Sequence, residues 1–312
     1  MSHVSAKIAA ARVSLATACS LATMKLVAGF LTGSLAVISS AVDSLLDILM
    51  SGVNFMAIRQ AEQPADERHP YGHGKFETIA TIFQALVIAL SGGWICVEAV
   101  RRLQTGSAVE KPLGGIVVML VSLAASLLIT RYLRRAAKAT DSSALAADAL
   151  HFAMDVYTNL ALLLGLLALF WFDLPWLDPA MSLVVSCYIL YQAFGLLRHG
   201  MRDVLDEQLP AAIRTEIEQL IESNKGELFG YHNLRTRRAG SQKLIDFHLT
   251  VCKHLSVDEA HRITDHLEEK IGAHVNGSDI TIHIEPCQEA DCPGRDQCPA
   301  LKLRQQNAKK GG

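Results

Sequence analysis

Charge is sparse in this sequence. Lys, Arg, Asp and Glu make up 19% of its 312 residues, and the formal net charge is -2. Without a basic surplus there is no electrostatic footprint for a nucleic-acid partner. A cleavable leader is not expected either. Met1 to Arg12 is short and mixed, and the apolar run that follows is too long for a signal h-region and lacks a small-residue cleavage site. That run is therefore expected to remain as a first spanning helix. There is no self-similarity at solenoid period. No His-Glu-x2-His occurs, so a metal-dependent hydrolase would lack its visible ligands and general base, and the chain reads as a non-enzyme without an organic cofactor.

Apolar residues, by contrast, make up 50% of the chain, and they are unevenly spread. Up to about residue 200, long apolar stretches alternate with short polar loops; beyond it, charges become dense. Runs of about 20 apolar residues match the thickness of a bilayer core. Six spans are expected, at Arg12–Gly33, Leu35–Ile58, Thr78–Val100, Leu113–Leu133, Leu145–Phe172 and Trp176–Leu197. Positive charge orients them. Lys7 and Arg12 precede the first span. Arg59, Arg68 and Lys75 lie between the second and third, and Arg131, Arg134, Arg135 and Lys138 between the fourth and fifth. Arg198 and Arg202 follow the sixth. The 1–2 and 5–6 loops have no Lys or Arg, while Arg101, Arg102 and Lys111 in the 3–4 loop run against the pattern. Both termini are thus expected in the cytosol, with the chain in a bilayer, taken as a bacterial inner membrane.

The remainder reads as a small α/β domain. Ala211–Ser223 and Val257–Ile271 have helical period, the first after Pro210. Leu244–Cys252 alternates, with Ile245, Phe247, Leu249 and Val251 on one face and Asp246, His248, Thr250 and Cys252 on the other. Asp279–Glu285 alternates likewise, placing His283 and Glu285 outward. Tyr231–Arg238 is a partner strand, joined through Ala239-Gly240-Ser241. The order αββαβ predicts two helices on one face of a three-stranded sheet. The expected division is a six-helix all-α membrane domain at 1–205, a cytosolic α/β domain at 206–287 and a polar Cys-containing tail at 288–312.

Ionisable residues inside the apolar runs carry the chemistry. Asp43 and Asp47 in span two, and His151 and Asp155 in span five, are each four apart and so share a helix face. Asp148 sits one turn before His151. Charges in spanning helices are functional hypotheses by default. Two faces bearing Asp/Asp and His/Asp offer four oxygen and nitrogen ligands, a set suited to tetrahedral zinc. The imidazole argues against magnesium and calcium, and the lack of a thiolate against Cu(I). Manganese, iron, cobalt, nickel and cadmium stay open. Three crowded carboxylates repel and should hold protons without metal; binding a dication releases them, so metal–proton exchange is expected. Lys25, near a span end, reads as a snorkelling residue.

These six spans, the Asp-x3-Asp and His-x3-Asp pairs and the αββαβ domain resemble the cation diffusion facilitator family from about residue 10 to 286. The Asp-Asp/His-Asp combination is similar to its zinc-transporting members, bacterial iron/zinc efflux proteins among them. The resemblance implies a homodimer, proton antiport, export from the cytosol and a metallochaperone-like soluble domain. It adds weight to a second metal site at Asp66, His69 and His73, after span two. It also implies a binuclear site from His232, His248, His261, His283 and Glu285 that stabilises the dimer. The last position is often Asp in similar proteins and is Glu here. Lys75 and Asp206 flank the junction where similar proteins carry a salt bridge. A membrane-bound metal sensor is the competing reading.

Seven cysteines remain to be placed. Cys19, Cys96 and Cys187 lie in apolar runs and read as packing residues. Cys252, Cys287, Cys292 and Cys298 fall in the cytosolic part, where disulfides are not the default. The spacing Cys287-x4-Cys292-x5-Cys298 does not match a two-by-two zinc pattern, and these three are expected in an unstructured tail.

Overall fold

The apolar runs form six helices: α1 (His3–Thr32), α2 (Leu35–Ala61), α3 (Lys75–Thr105), α4 (Ile116–Thr140), α5 (Ser143–Phe172) and α6 (Leu177–Val204). They belong to a computed structural model that describes residues 3–32, 35–105, 116–172, 176–223, 229–288 and 294. Cys292 and Cys298 lie outside the described residues, as does the side chain of Asp43, although its backbone is part of α2. Two units result, Met1–Val204 and Leu205–Gly312.

The first unit has its polarity turned inside out. Leu90 and Trp94 are each 75% exposed, Tyr191 73% and Val184 70%, whereas Ser14, Asn54, Thr78, Gln84 and Asp148 are fully buried. In water so large an apolar surface would be a liability; against lipid it is the favourable arrangement. Val4–Leu31, Lys75–Thr105 and Pro179–Val204 are each long and apolar enough to cross a bilayer by length and composition. With no hydrophobic drive between helices in lipid, small residues at the interfaces let backbones approach. Ala10, Ala11, Ala18, Ala137, Ala144 and Ala149 accordingly surround Ile58, Leu133, Leu145 and Phe152 in one core cluster. α3 and α6 meet over glycines: a Cβ on Gly200 would come within 2.5 Å of Ile82, and one on Gly92 within 3.0 Å of Ile189.

The helices extend past the spans read from hydropathy. α4 continues to Thr140, so Arg131, Arg134, Arg135 and Lys138 are helical rather than loop residues, and Arg101 and Arg102 lie within α3, which runs to Thr105. Arg, Lys and Ala are strong helix formers, so the helix outlasts its apolar stretch. Lys7, counted before the first span, is buried within α1 and bonds Glu62, with Glu77 3.6 Å away. Glu77 in turn accepts from the Ala144 backbone N–H at 3.4 Å.

The second unit follows αββαβ order: α7 (Ala211–Glu222), β1 (Gly230–Ala239), β2 (Gln242–Val251), α8 (Val257–His274) and β3 (Ser278–Pro286). β2 is central, antiparallel to β1 and parallel to β3. Ile245, Phe247, Leu249 and Val251 pack with Ile217 and Ile221 of α7 and Ile263, Leu267 and Ile271 of α8. This leaves the other sheet face to His248, His283 and Glu285. α8 opens with a capping box, in which the Ser256 hydroxyl accepts from Glu259 N–H and the Glu259 carboxylate accepts from Ser256 N–H. Replacing Ser256 by Ala is expected to cost about 1 kcal/mol of local stability. Faster hydrogen exchange in the first turn of α8 of the full chain checks this; unchanged exchange would count against the cap.

Cys287 is not part of an unstructured tail. It is buried, and its N–H donates to Val251 O at 2.9 Å, extending the β2–β3 ladder by one bond.

Candidate metal centres

The intramembrane site is built across α2 and α5. His151 Nε2 lies 3.0 Å from Asp47 Oδ1. Both side chains are largely enclosed, at 10% and 19% relative exposure. Asp155 follows His151 by one turn, and its charge bears on the same ring. Thus Asp47 and His151 of the expected set meet, and Asp155 lies within charge range of the ring; the side chain of Asp43, the fourth, is outside the described residues. Lys25 departs from its expected snorkelling position. Its Nζ reaches across to α2 and donates to the buried Ser44 Oγ at 2.8 Å, between positions 43 and 47. A cation in hydrocarbon gains more from an internal acceptor than from an apolar surface.

The loop after α2 forms a second cluster. Asp66 Oδ1 accepts from the backbone N–H groups of Arg68 at 2.9 Å and His69 at 2.6 Å, which closes an Asx-type turn. His69 Nδ1 lies 3.2 Å from Asp66 Oδ1 and His73 Nε2 3.4 Å from Asp66 Oδ2. The ligand atoms of Asp66, His69 and His73 all lie within 4.8 Å of one another. The backbone N–H of His69 foremost holds the Asp66 carboxyl below its usual range, so it stays anionic. His73 Nδ1 sits 3.2 Å from Pro64 O; donation there leaves Nε2 with its lone pair toward the cluster. No sequence pattern marked Pro64 O, because the contact depends on how the loop folds back.

The third cluster stands on the open sheet face. His248 Nδ1 lies 2.7 Å from Glu285 Oε1 and His232 Nε2 lies 3.3 Å from Glu285 Oε2, so the carboxylate straddles two rings. The bond from His248 is the main reason the Glu285 carboxyl lies below its ordinary range. His232, His248 and Glu285 present ligand atoms within 4.8 Å of one another. His283 is at the margin, 3.9 Å from Glu285 Oε1, with its ring centroid 4.8 Å from that of His248. His261 is elsewhere: it is exposed on α8 and 3.5 Å from Asp265. α8 covers the opposite face of the sheet, so a residue there does not reach the cluster within one chain.

A bulge explains why His232 belongs to this face. β1 and β2 pair His232 with His248, and the register then slips before Arg235 pairs with Asp246, with Asn233 at φ 53°. One extra residue reverses the alternation, so His232 and Arg235 point the same way although three apart. Asp206, considered above as a junction residue, lies 3.3 Å from Arg237 of β1.

A bundle of apolar-faced helices enclosing a carboxylate–imidazole pair, together with a separate α/β unit bearing a His/Glu cluster, defines a membrane protein that handles metal cations. Residues 11–205 match the model of the cation efflux transmembrane domain, and residues 209–287 that of the cation efflux protein cytoplasmic domain. The chain belongs to the cation efflux, or cation diffusion facilitator, family, whose members are integral membrane transporters. It is 38% identical over 279 residues to the cation-efflux pump FieF of Shewanella oneidensis, covering 89% of this chain and 94% of that one. It is 35% identical over 286 residues to FieF of Escherichia fergusonii, covering 92% and 95%. Among solved structures, the metal-bound C-terminal domain of the CzcD transporter from Thermotoga maritima is 25% identical, covering 26% of this chain and 93% of that one, with a TM-score of 0.24.

Proposed function

We propose that this protein exports zinc from the cytosol in exchange for protons, by alternating access to a site made of Asp43, Asp47, His151 and Asp155. The observation that carries the reading is the 3.0 Å bond between His151 Nε2 and Asp47 Oδ1 across α2 and α5. A nitrogen and a carboxylate oxygen so close need a proton between them. A metal ion taking both atoms as ligands must displace that proton, so loading with metal and unloading of protons are one event. The mixed donor set favours zinc, with iron, cadmium, cobalt and manganese as secondary cargo. In this reading the chain sits in a bacterial inner membrane with both termini cytoplasmic.

The protein acts as a homodimer in this proposal. The Asp66/His69/His73 loop delivers or senses ions, and the His232/His248/His283/Glu285 face responds to cytosolic metal, with His261 contributed by a second copy. The two cytosolic clusters also support a metal sensor, which would bind zinc in these clusters but move none into proteoliposomes.

In everted vesicles at fixed zinc, an acid-inside gradient is expected to drive accumulation. One pH unit coupled through one proton is worth about tenfold. Collapsing the gradient should abolish that gain, and zinc uptake indifferent to the gradient would remove proton exchange from the mechanism.

A further inference from the structure

The Asp47–His151 pair leaves a second polar cluster without a role. Asp148 precedes His151 by three residues and so lies on the same face of α5. It is fully buried, and neither carboxylate oxygen meets a partner at full hydrogen-bond distance and angle among the described residues. Ser14 of α1, Asn54 of α2 and Gln84 of α3 bring their side chains against it. All three are fully buried as well, and both ends of the Asn54 and Gln84 amides lack partners in the same set. Asn54 follows Asp47 by seven residues, two turns along one face of α2. The cluster therefore prolongs the face of both helices that holds the metal pair, toward the C-terminal end of α2 and the N-terminal end of α5.

Helix packing does not account for this. Polar residues that hold helices together do so through bonds that are made, as Thr81 Oγ1 to Ser143 Oγ at 2.9 Å is. Here a carboxylate, two amides and a hydroxyl from four helices converge, but the carboxylate and both amides do not close to the distance and angle of a made bond among the described residues. An unpaired carboxylate in hydrocarbon is strongly unfavourable unless a cation or water meets it. The available donors are oxygens without imidazole or thiolate, which suits a partly hydrated cation. One negative charge, against the several of the neighbouring site, holds a dication weakly. That is what a point of passage needs: attraction enough to admit the ion and not enough to keep it.

We propose that Asp148, with Asn54, Gln84 and Ser14, is a second intramembrane binding station for the transported divalent cation. It lies on the cytosolic side of the Asp47–His151 site and receives the ion before that site does. The assignment of side and cargo rests on the transport reading above.

Equilibrium binding of radioactive zinc to the purified full-length protein tests it independently of transport. Asp47→Ala is compared with Asp47→Ala/Asp148→Asn; the loop and sheet clusters contribute equally to both and cancel. At high zinc the single variant is expected to hold about one more ion per chain, as removal of a station's only charged ligand predicts. Asn preserves the shape of Asp148 and removes an unpaired charge, so the melting temperature should be unchanged or raised. Asp47→Ala/Asn54→Ala should bind the same ion about tenfold more weakly. Equal zinc content with and without Asp148 in folded protein would overturn the proposal, leaving the cluster as a water site. If the Asp148 variant does not fold, unchanged affinity in the Asn54 variant overturns it alone. A wild type that moved no zinc would defeat the transport reading while leaving this difference readable.

Discussion

Replacing Asp47 by Ala should all but stop zinc transport while leaving the protein folded. Among the described residues its carboxylate is the partner of His151 Nε2 across the α2–α5 interface, 3.0 Å away. Its loss removes a metal ligand and the group that fixes the imidazole. Losing a residue that merely supports a ligand costs about 10–100-fold in metal affinity or activity, so a ligand itself should cost at least as much. Folding should survive, because the substitution takes a charge out of hydrocarbon and α2 accepts Ala readily. The check is initial zinc flux into proteoliposomes at matched protein content, with the melting temperature as control. Transport within a few-fold of wild type would mean that the ion does not pass through this pair.

The second large effect concerns which ion is carried. His151→Asp would make the proposed intramembrane ligand set entirely oxygen. Imidazole suits zinc, and carboxylate suits harder ions such as manganese. Relative transport of manganese over zinc is expected to rise by about tenfold, equivalent to about 1.4 kcal/mol, the size of one hydrogen bond to a charged group. The variant should also need higher pH to work. A further carboxylate in a crowded site raises proton affinity, and every bound proton must leave before the metal binds. A competition assay across zinc, iron, cadmium, cobalt and manganese reads the ranking directly. If the ranking is unchanged, His151 does not set selectivity, and the residue-level reason for favouring zinc is lost.

Much of the candidate chemistry was legible because it follows helical and strand periodicity. Asp43 could be paired with Asp47, and His151 with Asp155, from i, i+4 spacing alone, since an α-helix puts such residues on one face wherever it is. His248, His283 and Glu285 followed from alternation with Ile245, Phe247 and Leu249, since a strand sends successive side chains to opposite faces. His232 did not follow in the same way. Simple alternation along β1 fails at Asn233, where the bulge shifts the register and re-aims what lies before it. Lys25 was misplaced as a snorkelling charge, because hydropathy ranks residues along the chain and is blind to a partner on another helix.

The metal-competent pairs were thus properties of the sequence, down to the helix faces that carry them. What the tertiary structure alone decided is what those faces meet. It set α2 against α5 so that Asp47 reaches His151 at 3.0 Å. It also kept His261 from the sheet cluster by packing α8 on the opposite face. Around Asp148 it gathered Ser14, Asn54 and Gln84, residues 14 to 148 along the chain, none of whose spacing announces the others. Periodicity is local and survives in one dimension, whereas the burial and pairing of a charge depend on neighbours that only folding brings near.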